Sequence, residues 1–244
     1  MVSERVFQRF YPDLKLEKRS LGGAAAFYDW VRRYTNPRTV MLNLGAGGPA
    51  PRDKIRVFKG EVARVAGADI DPEVVHNPEL DDAHVINGSG ELPFAAESFD
   101  IVLSDWVVEH ISEPQSFLSE VRRVLREGGS FFFRTPNKHH YVGFLASVTP
   151  HWFHELVANR ARAMNSGDHE PWPTYYSLNS RRAIEVEGFG AGFRSVEVRM
   201  WEGPPLYMCF NSVPFLLGVG YQRTVNRYNA LEGLRANILA RMVK

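Results

Sequence analysis

The chain predicts an α/β protein built on a doubly wound, Rossmann-like, mostly parallel sheet, and three observations carry that prediction. A short apolar run, Val40-Met41-Leu42-Asn43-Leu44, stops abruptly at Gly45-Ala46-Gly47-Gly48, with Pro49 and Pro51 just beyond. Apolar residues without alternation, ended by glycine, read as a strand buried on both faces, the central kind in a parallel sheet. Strand-like and helix-like segments then alternate as far as residue 136, which specifies parallel strands joined by right-handed crossovers. Asp69 closes the second apolar run 24 positions after Gly45, where a carboxylate can accept from both hydroxyls of a ribose.

Composition sets the outer bounds. A chain of 244 residues with 44% apolar and 23% charged residues can bury a sizeable core without a disulfide or a structural metal. A formal net charge of +1, with no basic block, gives no pull toward nucleic acid. Cys209 is the single cysteine, which fits a reducing compartment. His151 and His154 flank Trp152 and Phe153 and read as a packed loop rather than a metal site, so no metal is expected. The N-terminus lacks the basic and apolar regions of a signal peptide, and no uninterrupted apolar run suits a membrane span, so a cytoplasmic protein is expected.

The elements follow in order. Residues 1–37 form a helical lead whose strongest helix covers 23–34, with Phe27, Trp30, Val31 and Tyr34 at helical spacing. Residues 38–136 form a cofactor-binding core. After the first strand and glycine turn, a short helix is expected over 50–58, then a strand ending on Asp69, with Asp71 placed to cap the helix after Pro72. A third strand is expected at 84–86, a fourth at 99–104, a helix at 114–126 stopped by Gly128-Gly129, and a fifth strand at 131–134. Residues 137–176 break the rhythm; Trp152, Phe153, Trp172, Tyr175 and Tyr176 make them too aromatic for a disordered linker, and they read as a lid or substrate insertion. Residues 177–244 hold a helix at 177–188, a sixth strand at 193–200, a helical insertion at 204–234 and a final strand at 237–244. All of this is read as one domain.

Several motifs stand together in order and spacing: Asn43-Leu44-Gly45-Ala46-Gly47, Gly67-Ala68-Asp69-Ile70-Asp71, Glu91-Leu92-Pro93-Phe94 with Ser98-Phe99-Asp100-Ile101-Val102, Glu109-His110, and Arg123-Val124-Leu125-Arg126-Glu127-Gly128-Gly129. Across roughly 38–137 the chain resembles the class I S-adenosylmethionine-dependent methyltransferases, in the branch similar to the quinone and sterol methylating enzymes. The resemblance implies a seven-stranded sheet with an antiparallel last strand, S-adenosylmethionine as cofactor and S-adenosylhomocysteine as product. It implies that Gly45, Ala46 and Gly47 pass under the methionine part, that Asp69 holds the ribose with Ile70 beside it, and that Asn87, Gly88 and Ser89 face adenine. Ser104, Asp105 and Trp106 would line the approach to the sulfonium. Two departures stand out: Asn43 lies where the family often has a carboxylate, and Gly88 near an expected aspartate.

Methyl transfer is an in-line displacement in which the protein mainly aligns acceptor, methyl and sulfur. An oxygen or carbon acceptor with a tightly held proton also needs a base, and His110, His139 and His140 follow the fourth and fifth strands, with Tyr141 a further candidate. The aromatic 137–176 and apolar 204–220 segments favour a small, apolar or lipid-like acceptor. Between 223 and 244, Arg223, Arg227, Arg235, Arg241 and Lys244 outnumber Glu232; a solvated face is the simpler reading, ahead of contact with an anionic membrane. Two rival functions remain open at this point: a nicotinamide-dependent oxidoreductase, from the loose Gly45-x-Gly47-x-x-Ala50 pattern, and a non-catalytic cofactor-binding partner subunit.

Overall fold

The sheet forms because its central strands are apolar on both faces and are covered on both. A computed structural model describes residues 2–14, 21–49, 54–88, 90–141 and 173–244. Among these residues the strands are β1 (Val40–Leu44), β2 (Arg64–Asp69), β3 (Asp82–Val85), β4 (Phe99–Asp105), β5 (Leu125–Pro136), β6 (Ser195–Trp201) and β7 (Asn237–Val243). They make one seven-stranded sheet in the order β3-β2-β1-β4-β5-β7-β6. The pairs β1–β2, β1–β4, β2–β3 and β4–β5 are parallel. β7 runs the other way: its leading residue Ala236 accepts from Asn137 N at the end of β5, whereas Lys244 exchanges main-chain bonds with Gly128 and Gly129 at the start.

The helices are α1 (Glu4–Phe10), α2 (Leu21–Arg32), α3 (Pro114–Val124), α4 (Arg181–Gly190) and α5 (Ser212–Arg227). Successive phenylalanines on β5 show how the layers close. Phe131, Phe132 and Phe133 are all fully buried, although neighbouring strand residues point to opposite faces. Phe132 meets Trp30 of α2 edge-on at 5.3 Å between ring centres, while Phe131 meets Phe117 of α3 at 5.9 Å and Phe133 at 5.0 Å. One helix therefore covers each face of the same strand.

The described residues form two compact units. The larger takes Ala25–Pro136, Pro173–Arg199 and Ile238–Lys244, and holds most of the sheet with α3 and α4. The smaller takes the described parts of Met1–Ala24, Asn137–Trp172 and Met200–Asn237. Its core is Val2, Phe7, Cys209, Phe215 and Val219, which joins α1 to α5.

Several expected boundaries shift, each for a local reason. α3 stops at Val124 rather than 126, because Leu125 turns extended and pairs with Phe99 across a bulge. Gly128 and Gly129 then lie inside β5, not in a turn ending the helix. At Gly129 a Cβ would sit 2.8 Å from the Arg126 carbonyl oxygen, so glycine is needed for that close approach. The segment expected as a helix over 50–58 is a single 3-10 turn, Lys54–Arg56, where it is described; 50–53 lie outside the described residues. β3 begins at Asp82, two positions earlier than expected, because Arg64 of β2 holds the Asp82 carboxylate with two hydrogen bonds of 2.7 Å. α4 starts at Arg181, with Ser180 as its N-cap accepting from Ala183 N. Residues 204–234 are helical as expected, as α5 between the 3-10 turns Leu206–Met208 and Asn229–Leu234.

Truncating Phe132 to alanine removes a fully buried ring from the centre of this layering. The expected loss is ~3–5 kcal/mol of unfolding free energy, measured by urea titration.

Candidate cofactor site at the carboxyl edge of the sheet

The carboxyl ends of the parallel strands open on one edge, the position where open α/β sheets take ligands. At the end of β1 the chain bends sharply, with Gly45 at φ +74° and Gly47 at φ +63°. Both lie in the left-handed region that glycine enters without steric cost. At Gly45 the bend is also crowded, since a Cβ there would stand 2.1 Å from Cγ2 of Val107, just beyond β4.

Two side chains fix the bend from the β2 side. Oδ2 of Asp69 accepts from Gly47 N at 2.6 Å, and its Oδ1 accepts from Asp71 N at 2.9 Å. The buried amide of Asn77 donates to the carbonyls of Ala46 (3.2 Å) and Gly47 (2.9 Å). Asp71 caps the 3-10 turn Pro72–His76, accepting from Glu73 N at 2.9 Å, so it is occupied as expected. A carboxylate offers about four lone-pair directions, and Asp69 spends two of them on these main-chain bonds. Beside it, Ile70 is exposed, and a Cβ on Gly88 would lie 3.7 Å from its Cγ2, so these two residues are close neighbours. Asn87 is exposed there, and Ser89 lies outside the described residues.

On the β4 side, Ser104 pairs in register with Leu44, and its buried hydroxyl has no hydrogen-bond partner among the described residues. Asn43, one residue earlier on β1, is half-buried between Gly67 and Leu103. Asp105 is a hub. Arg134 of β5 grips it with Nε at 2.6 Å and Nη2 at 3.0 Å, Arg56 reaches it at 3.3 Å, and the Tyr28 hydroxyl donates to it at 3.1 Å. Burial, then the adjacent Asp105 charge, push the Tyr28 phenol well above its ordinary value, so it stays a donor. Within this cluster two guanidinium groups face one carboxylate. Trp106 follows at φ +61°, unusual for a bulky side chain, with its exposed ring under the Arg134 guanidinium at 5.4 Å.

The histidines part company. His110 ends the 3-10 turn Val108–His110, and its Nδ1 lies 2.8 Å from the Pro173 carbonyl. A carbonyl only accepts, so Nδ1 carries a proton, and in the neutral ring Nε2 is then the acceptor nitrogen. His139 and His140 belong to the smaller unit instead. There His139 is exposed, while His140 is buried with Nε2 3.4 Å from Glu202. Tyr141 directs its hydroxyl to the Met208 sulfur at 3.7 Å. Of the segment expected as a lid, 142–172 lie outside the described residues. Its end is tied down, because the Glu109 carbonyl accepts from Tyr175 N and Tyr176 N.

Three features fit a bound nucleoside with an amino-acid tail: a side-chain-free cradle at Gly45–Gly47, a carboxylate with unspent acceptor capacity at Asp69, and an unpartnered hydroxyl at Ser104. Asn77, Tyr28, Arg56 and Arg134 were not legible as site residues from the sequence, since nothing local marks them. A positive φ at a tryptophan is likewise invisible until the chain is folded.

Glu109 offers a check on the electrostatics of this edge. It is buried, accepts from the Thr135 hydroxyl at 3.1 Å, and has its pKa raised chiefly by burial. A raised acid pKa means the folded state holds that proton more tightly than the unfolded chain. The associated stability is present at low pH and lost as pH rises through the folded-state value. Glu109→Gln keeps the oxygen that Thr135 needs and removes the buried charge. It is expected to melt above the wild type at neutral pH, with the gap closing below about pH 4, as followed by circular dichroism.

Comparison with known proteins finds similar sequences and folds. Residues 42–133 match the model of a methyltransferase domain. The chain is 32% identical over 136 residues to a probable S-adenosylmethionine-dependent methyltransferase of Mycolicibacterium smegmatis, covering 50% of this chain and 51% of that protein. It is 29% identical over 122 residues to a ubiquinone biosynthesis O-methyltransferase of Ruegeria, covering 46% and 49%. The chain thus spans about half the length of the curated relatives it matches. The fold is that of a SAM-dependent methyltransferase from Archaeoglobus fulgidus, with a TM-score of 0.54 and 13% identity over 98% of this chain and 99% of that one. The segment from Leu42 to Phe133 is thus similar to methyltransferase domains, among them S-adenosylmethionine-dependent ones.

Proposed function

We propose that this chain transfers a methyl group from S-adenosylmethionine to an oxygen or carbon atom of a small, largely apolar acceptor. The observation that carries the reading is Asp69. It stands at the tip of β2 with both oxygens already aligned by main-chain N–H groups and with capacity left for two sugar hydroxyls. When bound, S-adenosylmethionine supplies a methyl carbon activated by positive sulfur. The residues of this chain do the rest. Gly45, Ala46 and Gly47 bring bare main chain against the amino-acid tail, with Ser104 and the Arg56 cation as its polar contacts. Ile70, Asn87 and Gly88 take the base. Asp105, held rigid by Arg134 and Tyr28, and Trp106 line the approach to the reacting carbon.

His110 is the base in this reading. Its ring is oriented by the Pro173 carbonyl, and its Nε2 is free to take the acceptor's proton as the new bond forms. The exposed rings of Trp106, Tyr175 and Tyr176 on the same unit support an apolar acceptor. The O-methyltransferase relatives agree with an oxygen nucleophile.

Calorimetric titration with S-adenosylhomocysteine tests the cofactor half. Asp69→Ala is expected to weaken binding by ~10–100-fold, as befits lost hydrogen bonds to a charged group. Unchanged affinity, or tight binding of NAD instead, would overturn the assignment. For the chemical half, His110→Gln assayed against a panel of phenols and quinols should lower kcat by roughly 10²–10⁴-fold and leave S-adenosylhomocysteine affinity intact. A variant that keeps the wild-type kcat rules out His110 as the base.

A further inference from the structure

The smaller unit carries a helix whose outward side does not match its solvent exposure. α5 buries Phe215, Gly218, Val219 and Val225 against its own unit. On the opposite side, at the i, i+3, i+4, i+7 spacing of one helical face, Val213, Leu216, Leu217, Gly220, Arg223, Thr224 and Arg227 are all exposed. The first two turns of that face are aliphatic, with Val213 at 65%, Leu216 at 47% and Leu217 at 69% exposure. The last two turns are cationic. Exposed aromatics bracket the face, Phe210 just before the helix and Tyr228 just after it.

Charge on this stretch has one sign. From 203 to 231 there is no aspartate or glutamate, and Arg223 and Arg227 are its only charged residues. The carboxylates at its borders are Glu202 and Glu232. Glu202 is buried, with Oε2 accepting from Ala236 N at 2.7 Å and lying 3.4 Å from His140. Glu232 is half-buried in the following 3-10 turn. The arginines lie over aromatic rings, Arg223 above Phe10 and Arg227 above Tyr228, and make no ion pair among the described residues. On the neighbouring α1, the exposed charges are Arg5 and Arg9, with Glu4 half-buried. No described helix is long and apolar enough to cross a membrane.

We infer that the outward face of α5 docks on the surface of an anionic lipid bilayer. Val213, Leu216 and Leu217 would enter the boundary between headgroups and acyl chains, Phe210 and Tyr228 would sit at headgroup level, and Arg223 and Arg227 would meet lipid phosphates. Aliphatic tips, flanking aromatics and arginines without carboxylates are what an interfacial helix needs. The inference rests on α5 alone and is independent of the acceptor proposed above.

The test is co-sedimentation of the full chain with vesicles. Binding to phosphatidylcholine vesicles containing ~30% phosphatidylglycerol should exceed binding to pure phosphatidylcholine by on the order of tenfold. It should weaken at about 0.5 M salt. Val213→Glu combined with Leu217→Glu should abolish it, and Arg223→Gln combined with Arg227→Gln should weaken it about tenfold, both with the wild-type melting temperature. The arginine pair keeps the test decisive if the glutamate pair fails to fold. Absence of vesicle binding, equal binding to neutral and anionic vesicles, or unimpaired binding by a folded variant each overturns the inference. So does a dimer in sedimentation equilibrium that the glutamate pair disrupts while vesicles go unbound, since the face then meets a second copy.

Discussion

The bond from Gly47 N to the Asp69 carboxylate is the constraint on which the candidate site depends. It joins the bend after β1 to the tip of β2, and Asn77 closes the bend from the same side by holding two of its carbonyls. The glycines could adopt many conformations; these bonds select one. A carboxylate placed by its own backbone partners is also preorganised for a ligand's hydroxyls, since little reorientation remains to be done on binding.

The far side of the edge is rigid for a different reason. Arg134 and Asp105 form a bidentate pair with both side chains nearly buried. Removing Asp105 strands the buried Arg134 charge, at a cost of ~3–5 kcal/mol. Tyr28 and Arg56 complete the cluster from elements distant in sequence. Glu109 connects the same edge to β5 through Thr135, whose hydroxyl in turn accepts from Asn179 at 2.8 Å. Main-chain geometry thus shapes one wall and a network of charges the other. The proposed methyl transfer suits such a division: bare main chain against the donor and stiff polar walls to aim the acceptor.

The two units present different surfaces. In the larger, the rings of Trp106, Tyr175 and Tyr176 are exposed. In the smaller, exposed aliphatic side chains gather on one helix with arginines at its end. The sequence pattern of 204–234 suggested helix but not exposure. Phe215, Leu216, Leu217 and Val219 are equally apolar, and only their angular positions around α5 separate core from surface.

Read alone, the sequence determined what period and local chemistry determine. The apolar runs placed β1, β2 and β4, the glycines placed the bend, and Asp71-Pro72 identified its own cap. These are effects of near neighbours, so they survive without a fold. Tertiary structure decided whatever depends on residues far apart along the chain. It drew β5 back to Leu125 by pairing with β4, gathered Tyr28, Arg56 and Arg134 around Asp105, turned His110 toward Pro173, and buried His140 against Glu202 in the other unit. The physical reason is common to all four. A hydrogen bond or ion pair is chosen by which groups the sheet brings within about 3 Å, and no local pattern encodes that distance.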